Sequence, residues 1–175
     1  VVTIHGHDLQ YAVRRNAYCQ RALAYVFSHA SQVILVSNKL KYLAEEFFDC
    51  REKLTVIPNG VDLKKVAKHK FEDLSNRENI ATLLSVSNLV HPKGIDLNLL
   101  AVQRLCKKYP FLRYLVVGGG PLENKLRQMA ASLGLDDYVE FLGRQPHDRV
   151  MQYMANCDIF TLPSWDEAFG VVYIE

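Results

Sequence analysis

Apolar and polar positions along the chain follow two alternating patterns. Short apolar runs predict β-strands at 1–4, 33–36, 54–57, 82–86, 112–117, 138–142 and 158–162. Longer stretches with apolar residues at helical spacing predict helices at 9–29, 40–48, 95–109, 122–133, 146–156 and from 168 onward. Short strands that alternate with helices indicate βαβ units around a parallel sheet, so the predicted fold class is α/β.

Turn and cap residues separate these predicted elements. Ser37 is placed to cap the helix that follows it, and Gly134 is placed to end the helix before it. Pro110 stops another helix, and Pro58-Asn59-Gly60 predicts a turn after a strand.

A polar, highly charged stretch at 64–78 interrupts the alternation, which restarts after it. We place a hinge there and predict two Rossmann-like domains. Residues 1–66 are the C-terminal part of the first domain, 67–80 are the linker, and 81–175 are most of the second. Because the chain begins within a predicted strand and ends within a predicted helix, we expect both domains to be incomplete pieces of a longer protein.

Composition and charge narrow the class of protein. Apolar residues make up 49% and charged residues 23% of the 175 residues, which is typical of a soluble globular protein. The 21 Lys and Arg nearly balance the 19 Asp and Glu, which argues against a general nucleic-acid binder. No apolar run approaches the about 20 residues of a membrane span. Cys19, Cys50, Cys106 and Cys157 are widely separated, which predicts free thiols in a reducing compartment.

Ligands of open α/β sheets bind beyond the carboxyl ends of the strands. The segments that follow predicted strands and contain candidate chemistry are 5–8, 87–94, 118–120, 143–144 and 163–170. Glycines in these segments let a ligand approach the backbone closely. Backbone N–H groups at a helix start, together with a nearby Lys, bind anions, so the set suits a phosphate-bearing ligand.

Two acids flank the last part of the chain. Glu167 falls in a loop before the predicted final helix, and Glu175 lies eight positions later, within that helix. Packing requires neither carboxylate. Both can face one elongated ligand whose diphosphate is bound at the helix N-terminus between them.

The segment 167–175 resembles the E-x7-E signature of retaining glycosyltransferases with the GT-B fold, and more narrowly of their family 4. Four other segments resemble elements of that family in the same order. They are the turn at 56–62, the Lys-Gly element at 92–94, the Gly-rich turn at 117–121 and the strand-to-loop segment at 158–164. The resemblance covers nearly the whole chain and implies the GT-B pair of Rossmann-like domains, both incomplete here.

The resemblance implies a role for each matching residue. Lys93 corresponds to the residue that neutralises the donor diphosphate, Glu167 to the acid that hydrogen-bonds the donor sugar, and His5 to a histidine near the transferred bond. These three are the predicted catalytic residues. Glu175 corresponds to the acid that holds the ribose hydroxyls. The predicted donor-binding residues are Asn88, Lys93, Gly94, Gly143, Arg144, Glu167, Ala168, Phe169, Gly170 and Glu175.

The resemblance also implies a reaction and its partners. The donor is a UDP- or GDP-activated sugar, and the acceptor is a glycan, a lipid-linked or a small molecule. GT-B enzymes of this kind use Lys, Arg and helix N-termini on the leaving diphosphate, so the resemblance implies a metal-independent reaction without a cofactor. The sequence has no Asp-x-Asp motif, and His5, His7 and Asp8 are not interpreted as a metal site.

One segment departs from the family pattern. Where the family usually has an Arg in a Gly-Arg-Leu-like segment, this chain has Ser87-Asn88-Leu89. Asn88 can hydrogen-bond a phosphate but brings no charge, so an epimerase and a non-catalytic partner subunit stay open as alternatives. A nicotinamide-dependent oxidoreductase is disfavoured, because a G-x-G-x-x-G fingerprint starting at Gly118 has Glu123 at its third glycine position.

Two surface features have open interpretations. Arg14, Arg15 and Arg21 form a basic face that is either solvated or contacts an anionic membrane or a lipid-phosphate acceptor. Trp165 either stacks on a sugar or packs against its own domain. We expect a cytoplasmic protein, with peripheral contact at the inner face of the membrane as the open alternative.

Overall fold

The computed structural model of the chain describes residues 1–66 and 81–175. The predicted linker at 67–80 therefore lies outside the described residues. The chain divides into two compact units, which are Val1–Val61 with Glu167–Glu175, and Asp62–Asp166. The final segment thus belongs to the first unit, whereas the sequence-based division groups 81–175 together. That division into domains stays a prediction.

A three-stranded parallel sheet lies at the centre of the first unit. Its strands are β1 (Val2–Ile4), β2 (Val33–Leu35) and β3 (Leu54–Val56), which neighbour one another in chain order. Val33 of β2 is opposite Val2 on one side and Leu54 on the other. Apolar side chains of all three strands are buried, as in parallel sheets covered on both faces. The predicted α/β class is confirmed in this unit.

The stretch predicted as one helix at 9–29 forms three elements. A π-helical turn, Asp8–Ala12, leads into the single turn α1 (Val13–Arg15), and α2 (Ala17–His29) follows. The chain breaks at Asn16, whose backbone is extended and whose Oδ1 accepts a hydrogen bond from the N–H of Cys19 at 2.9 Å. Asn is a strong N-cap residue, so it starts a new helix here in the middle of an uninterrupted apolar pattern.

The helix between β2 and β3 begins where the sequence predicts. This helix, α3 (Asn38–Phe47), is preceded by Ser37, whose hydroxyl accepts a hydrogen bond from the N–H of Leu40 at 3.3 Å. The predicted cap is confirmed. In the core of this unit, Phe27 and Phe48 meet edge to face with ring centroids 4.8 Å apart. Burial of these rings stabilises the packing of α2 and α3 on the sheet.

The second unit contains α4 (Leu63–Val66) and a four-stranded parallel sheet. Its remaining elements are β4 (Ala81–Val86), α5 (Ile95–Leu105), β5 (Leu112–Val117), α6 (Glu123–Ser132), β6 (Val139–Gly143), α7 (His147–Asn156) and β7 (Ile159–Phe160). The strand order is β6-β5-β4-β7. β5 and β6 are added on one side of β4, and β7 is then added on its other side. This reversal creates a topological switch point between β4 and β7.

The elements predicted for this unit are present with shifted ends. Gly134 ends α6 as predicted, because the N–H of Leu135 donates to the carbonyl oxygen of Ala130 at 3.0 Å and the N–H of Gly134 to that of Ala131 at 3.0 Å. The predicted strand at 158–162 is shorter in the structure, since only Ile159–Phe160 pairs with β4.

Gly118 lets the chain segments that follow β4 and β5 come close together. Its φ is +128°, and a Cβ added there would lie 1.8 Å from the carbonyl oxygen of Ser87. The N–H of Ser87 donates to the carbonyl oxygen of Val117 at 3.0 Å, and the N–H of Leu89 donates to that of Gly119 at 3.1 Å. Only glycine fits this backbone contact, so the Gly-rich turn is a structural requirement of the sheet edge.

A buried polar network lies within the second unit, between β4, β5, α5 and the residue that follows β7. The Ser85 Oγ and the Tyr114 hydroxyl are 2.8 Å apart, and Asn98 Nδ2 donates to them at 3.1 and 3.0 Å. Thr161 Oγ1 donates to Asn98 Oδ1 at 3.2 Å, and the Ser85 hydroxyl donates to the Thr161 carbonyl oxygen. Burial raises the pKa of Tyr114 to about 12, so its phenol is neutral and acts in the network as a hydroxyl.

Replacing Tyr114→Phe removes one buried hydroxyl from the network, while Asn98 Nδ2 keeps the Ser85 Oγ and the Thr161 carbonyl oxygen as acceptors at 3.1 and 3.3 Å. We expect the free energy of unfolding to fall by about 1 kcal/mol, because the hydrogen bonds of the phenol are lost. Tyr109→Phe is the matched control, since that side chain is exposed and should change stability by less than about 0.5 kcal/mol. Denaturant unfolding of the full-length protein measures both, and equal stabilities of the two variants would contradict the prediction.

Candidate functional site

The strand order of the second unit indicates where a ligand would bind. The carboxyl ends of β4 and β7 lie on either side of the switch point, and the segments that follow them are 87–94 and 161–166. Ligands of doubly wound sheets bind outside the carboxyl ends of strands at this kind of position. The Lys-Gly element and the loop that contains Trp165 both belong to these segments.

Lys93 lies in a turn at the start of a helix. A 3-10 helix, His91–Lys93, is closed by the N–H of Lys93, which donates to the carbonyl oxygen of Val90 at 3.1 Å. Gly94 follows with a left-handed backbone (φ +65°), and α5 begins at the next residue. The turn thus places Lys93 two residues before the first residue of an eleven-residue helix, whose first turn also contains Asp96. A lysine close to a helix N-terminus stabilises a bound anion.

The loop after β7 is hydrogen-bonded to this turn. The carbonyl oxygen of Pro92 accepts from the Ser164 hydroxyl at 3.1 Å and from the N–H of Trp165 at 3.1 Å. The Trp165 ring meets the His91 ring edge to face, with centroids 5.0 Å apart. Trp165 therefore packs against its own unit while 51% of it stays exposed. Of the two interpretations that its sequence position allows, packing is confirmed and stacking on a sugar stays a prediction.

Asn88, Gly143 and Arg144 come to the same edge of this sheet. The N–H of Gly118 donates to the carbonyl oxygen of Gly143 at 2.8 Å, and a Cβ added to Gly119 would lie 3.2 Å from Arg144 Cγ. Asn88 is exposed at the end of β4. The carboxyl edge of β4, β5 and β6 thus collects the predicted donor-binding residues of this unit.

Ser87 is a residue of this edge to which the sequence analysis assigns no role. Its Oγ is buried and has no hydrogen-bond partner within the described part of the chain. Buried hydroxyls are rarely left without a partner, so this atom marks a place where a further polar group fits. The segment 87–89 departs from the family pattern, and that departure is the signal that could have drawn attention to it.

The residue after His5 lies against Ala168 in the first unit. His5 follows β1 and is exposed. The adjacent Gly6 is buried, and a Cβ added to it would lie 2.4 Å from the Ala168 Cβ. The structure therefore brings the predicted histidine segment against the first residues of the predicted E-x7-E segment. His7 instead approaches the Tyr11 ring, with centroids 5.5 Å apart.

The segment that contains Glu167 and Glu175 is not the predicted regular helix. Gly170 has a left-handed backbone and precedes a short 3-10 helix, Val171–Tyr173, and the N–H of Glu175 donates to the carbonyl oxygen of Val171 at 3.3 Å. Helical spacing alone therefore does not describe how the two acids are placed. Ala168 and Phe169 pack against the core of the first unit.

Two residues beside Glu167 were not singled out from the sequence. Lys39 Nζ donates to the Glu167 carbonyl oxygen at 3.1 Å. The pKa of Tyr173 is raised by burial and by the negative charge of Glu167. A Cβ added to Gly170 would lie 2.7 Å from the Tyr173 ring. Lys39 is distant in sequence and gives no local signal, whereas Tyr173 lies inside the E-x7-E segment.

The described residues also bear on the cysteines, on metal binding and on membrane-spanning helices. All four cysteines are free thiols, and burial raises the pKa of Cys50 and Cys157. Within 1–66 and 81–175, His, Cys, Asp and Glu side chains form no group of three or more that could hold a metal ion. In the same ranges, no helix combines the length and apolar character needed to cross a membrane.

Two curated relatives align with most of this chain. The phosphatidylinositol N-acetylglucosaminyltransferase gpi3 subunit of Schizosaccharomyces pombe is 32% identical over 167 residues, which cover 89% of this chain and 34% of that protein. The GDP-mannose-dependent alpha-(1-6)-phosphatidylinositol monomannoside mannosyltransferase of Mycolicibacterium smegmatis is 27% identical over 187 residues, which cover 100% of this chain and 48% of that protein. The chain thus spans less than half the length of either relative.

A solved structure shares the fold. The HepE protein of Anabaena, crystallised in complex with UDP and glucose, superposes with a TM-score of 0.76 and 25% identity. The superposition covers 97% of this chain and 48% of HepE. The predicted incomplete GT-B fold is confirmed by this likeness.

Family models match both parts of the chain. Residues 1–65 match the model described as Glycosyltransferase Family 4. Residues 66–175, more than half of the chain, match the model described as Glycosyl transferases group 1. The resemblance drawn from the sequence motifs is therefore confirmed, and the chain belongs to the glycosyl transferases group 1 family.

Proposed function

We propose that this chain is part of a retaining glycosyltransferase that moves a sugar from a UDP- or GDP-activated donor to an acceptor. The observation that carries the proposal is the Lys93 turn, which starts α5 beside the switch point of a group 1 family member. The complex of HepE with UDP and glucose supports a nucleotide-sugar donor, and the mycobacterial relative is named as GDP-mannose-dependent.

The proposed chemistry is stabilisation of a leaving diphosphate without a metal ion or cofactor. Glycosyl transfer passes through an oxocarbenium-like state while negative charge grows on the departing phosphate. In this proposal the Lys93 ammonium and the N–H groups at the start of α5 donate to that charge. The nucleotide sugar is a substrate in this proposal, and the transfer corresponds to a hexosyltransferase.

The remaining predicted residues take roles on the sugar and the nucleoside. Glu167 accepts hydrogen bonds from hydroxyls of the donor sugar, and Glu175 from hydroxyls of the ribose. The N–H groups of Phe169 and Gly170 donate to sugar or phosphate oxygens, with Ala168 beside them. Gly143 and Arg144 contact the base, while Asn88 and Gly94 line the diphosphate. His5 lies near the transferred bond.

Asn88 motivates a second candidate function. An exposed amide at the end of β4 gives the diphosphate less charge compensation than the usual Arg of the family. The fission-yeast relative is named as a subunit. A non-catalytic partner subunit or an epimerase that binds the same donor therefore remains the alternative to a transferase.

We also propose a lipid-linked acceptor rather than a free glycan or small molecule. Both relatives have names that contain phosphatidylinositol. An acceptor of this class is presented at a membrane surface, so the enzyme must work beside anionic headgroups. We place the protein in the cytoplasm with peripheral contact at the inner face of a membrane.

The face formed by α1 and α2 suits that contact. This face includes Arg14, Arg15 and Arg21, of which Arg14 pairs with Glu46 at 3.7 Å. Tyr18 and Tyr25 of α2 are 80% and 65% exposed. Exposed arginines next to exposed tyrosines match an anionic headgroup layer, where each Lys or Arg contributes about 1 kcal/mol.

Lys93→Ala should lower kcat/KM for the donor at least tenfold, about 1.4 kcal/mol of transition-state stabilisation, because the diphosphate loses its cation. Lys125→Ala is the matched control, since Lys125 is an exposed lysine of the same unit, on α6. Steady-state kinetics of the full-length protein distinguish them. Equal values for the two variants would mean that the diphosphate is bound elsewhere.

Glu167→Ala should abolish transfer while the protein stays folded, because it removes the acceptor for the hydroxyls of the donor sugar. Glu52→Ala is the control, since Glu52 is exposed in the same unit. Full-length protein is incubated with a labelled UDP- or GDP-sugar and an acceptor extract. An α-linked product from wild type alone supports the transferase, and a wild type that binds donor without product supports the partner subunit.

The double variant Arg15→Glu/Arg21→Glu should weaken cosedimentation with vesicles of phosphatidylcholine and phosphatidylglycerol by about tenfold or more, because two attractive charges become repulsive. Binding of the wild type should fall as salt rises. Lys107→Glu/Lys108→Glu in the second unit makes the same change of charge and serves as the control. Equal losses of vesicle binding in both double variants would mean that net charge, and not this face, determines the binding.

A further inference from the structure

We propose that Trp165 is a positioning residue that fixes the direction of Lys93 toward the donor diphosphate. The proposal rests on the proposed function and adds a residue outside the motifs from which that function is argued. Trp165 reaches Lys93 through the turn on which Lys93 is carried, and no contact between their side chains is required. The indole and its loop hold that turn at three separate points.

The first point is the carbonyl oxygen of Pro92, the residue before Lys93. It accepts two hydrogen bonds, from the Ser164 hydroxyl and from the N–H of Trp165, both at 3.1 Å. A carbonyl oxygen with two lone pairs can accept both at once. The peptide plane between Pro92 and Lys93 is thereby held in one orientation, and this plane sets where the Lys93 side chain leaves the backbone.

The second point is Gly94, the residue after Lys93. Its added Cβ would lie 2.9 Å from the carbonyl oxygen of Pro163 and 3.2 Å from Cζ3 of Trp165. The loop after β7 is therefore packed directly on the backbone of Gly94. Gly94 has a left-handed backbone (φ +65°) and lies between this loop and the start of α5. The turn has no room to relax on that side.

The third point is the His91 ring at the other end of the 3-10 helix. Trp165 meets it edge to face at 78°, with centroids 5.0 Å apart. One aromatic side chain thus contacts the turn both before and after Lys93. Lys93 is the residue between these contacts, so loss of the indole removes the ring contacts on both sides of it, while the hydrogen bonds to Pro92 remain.

The expected result of Trp165→Ala is a loss of about tenfold or more in kcat/KM for the donor, because small displacements of a charged group are costly when it acts on a developing charge. Trp165→Phe keeps an aromatic ring against His91 and Gly94 and should retain most of the activity. Nucleotide binding is followed through intrinsic fluorescence, taking the difference between wild type and Trp165→Phe to isolate the signal of this indole.

A double-mutant cycle tests whether Trp165 acts through Lys93. In a Lys93→Ala background, Trp165→Ala should lower kcat/KM by less than about twofold, because no ammonium remains to be positioned. A tenfold loss in both backgrounds would overturn the proposal and leave Trp165 with an independent role. Thermal unfolding of each full-length variant accompanies the kinetics.

The cycle also separates this proposal from the proposed function. If Lys93→Ala alone leaves kcat/KM unchanged, the proposed donor site is wrong. If Lys93→Ala is impaired and Trp165→Ala is fully active, the donor site stands and the positioning role is wrong. Should Trp165→Ala fail to fold, Trp165→Leu replaces it in the same cycle, since it also removes the aromatic contact with His91 but leaves less empty space beside Gly94, and its losses decide by the same criterion.

Discussion

The buried hydrogen bonds among Ser85, Asn98, Tyr114 and Thr161 are the constraint on which the candidate site in the second unit depends. They join β4, α5 and β5 to the residue that follows β7. β7 pairs with β4 over only two residues, so these side chains hold the strand end where the ladder is short. Every segment of the switch point starts from one of these four elements.

Most of the fold could be predicted from the sequence, because alternating strands and helices have distinct apolar periods. The predicted strand 112–117 matches β5, and Ser37 and Gly134 cap their helices as expected. The break at Asn16 was missed, because a polar cap in a continuous apolar pattern does not change the period. Strand order also has no local signal, since long-range pairing determines it.

The candidate site also combines features that the sequence predicts with features that it does not. The turns at Lys93-Gly94 and at Gly118 could be predicted, because short motifs encode local backbone shape, whereas the chemistry of these residues stays a prediction. The contacts of Lys39 and Tyr173 with the Glu167 segment could not, since tertiary packing creates them. The prediction of a regular helix from 168 onward was wrong. The left-handed backbone of Gly170 and the packing of Phe169 on the core override helical spacing there.

The raised pKa of Tyr114 has a consequence for how the protein responds to pH. The folded phenol ionises near 12, whereas an unfolded tyrosine ionises near 10.0, so its contribution to stability is complete below pH 10 and declines as the pH rises toward 12. The Tyr114 phenol therefore stays protonated throughout the neutral range, and the hydrogen bonds that join β4, β5 and α5 to the residue after β7 do not change with pH there. A pH dependence of stability in that range comes from groups outside this network.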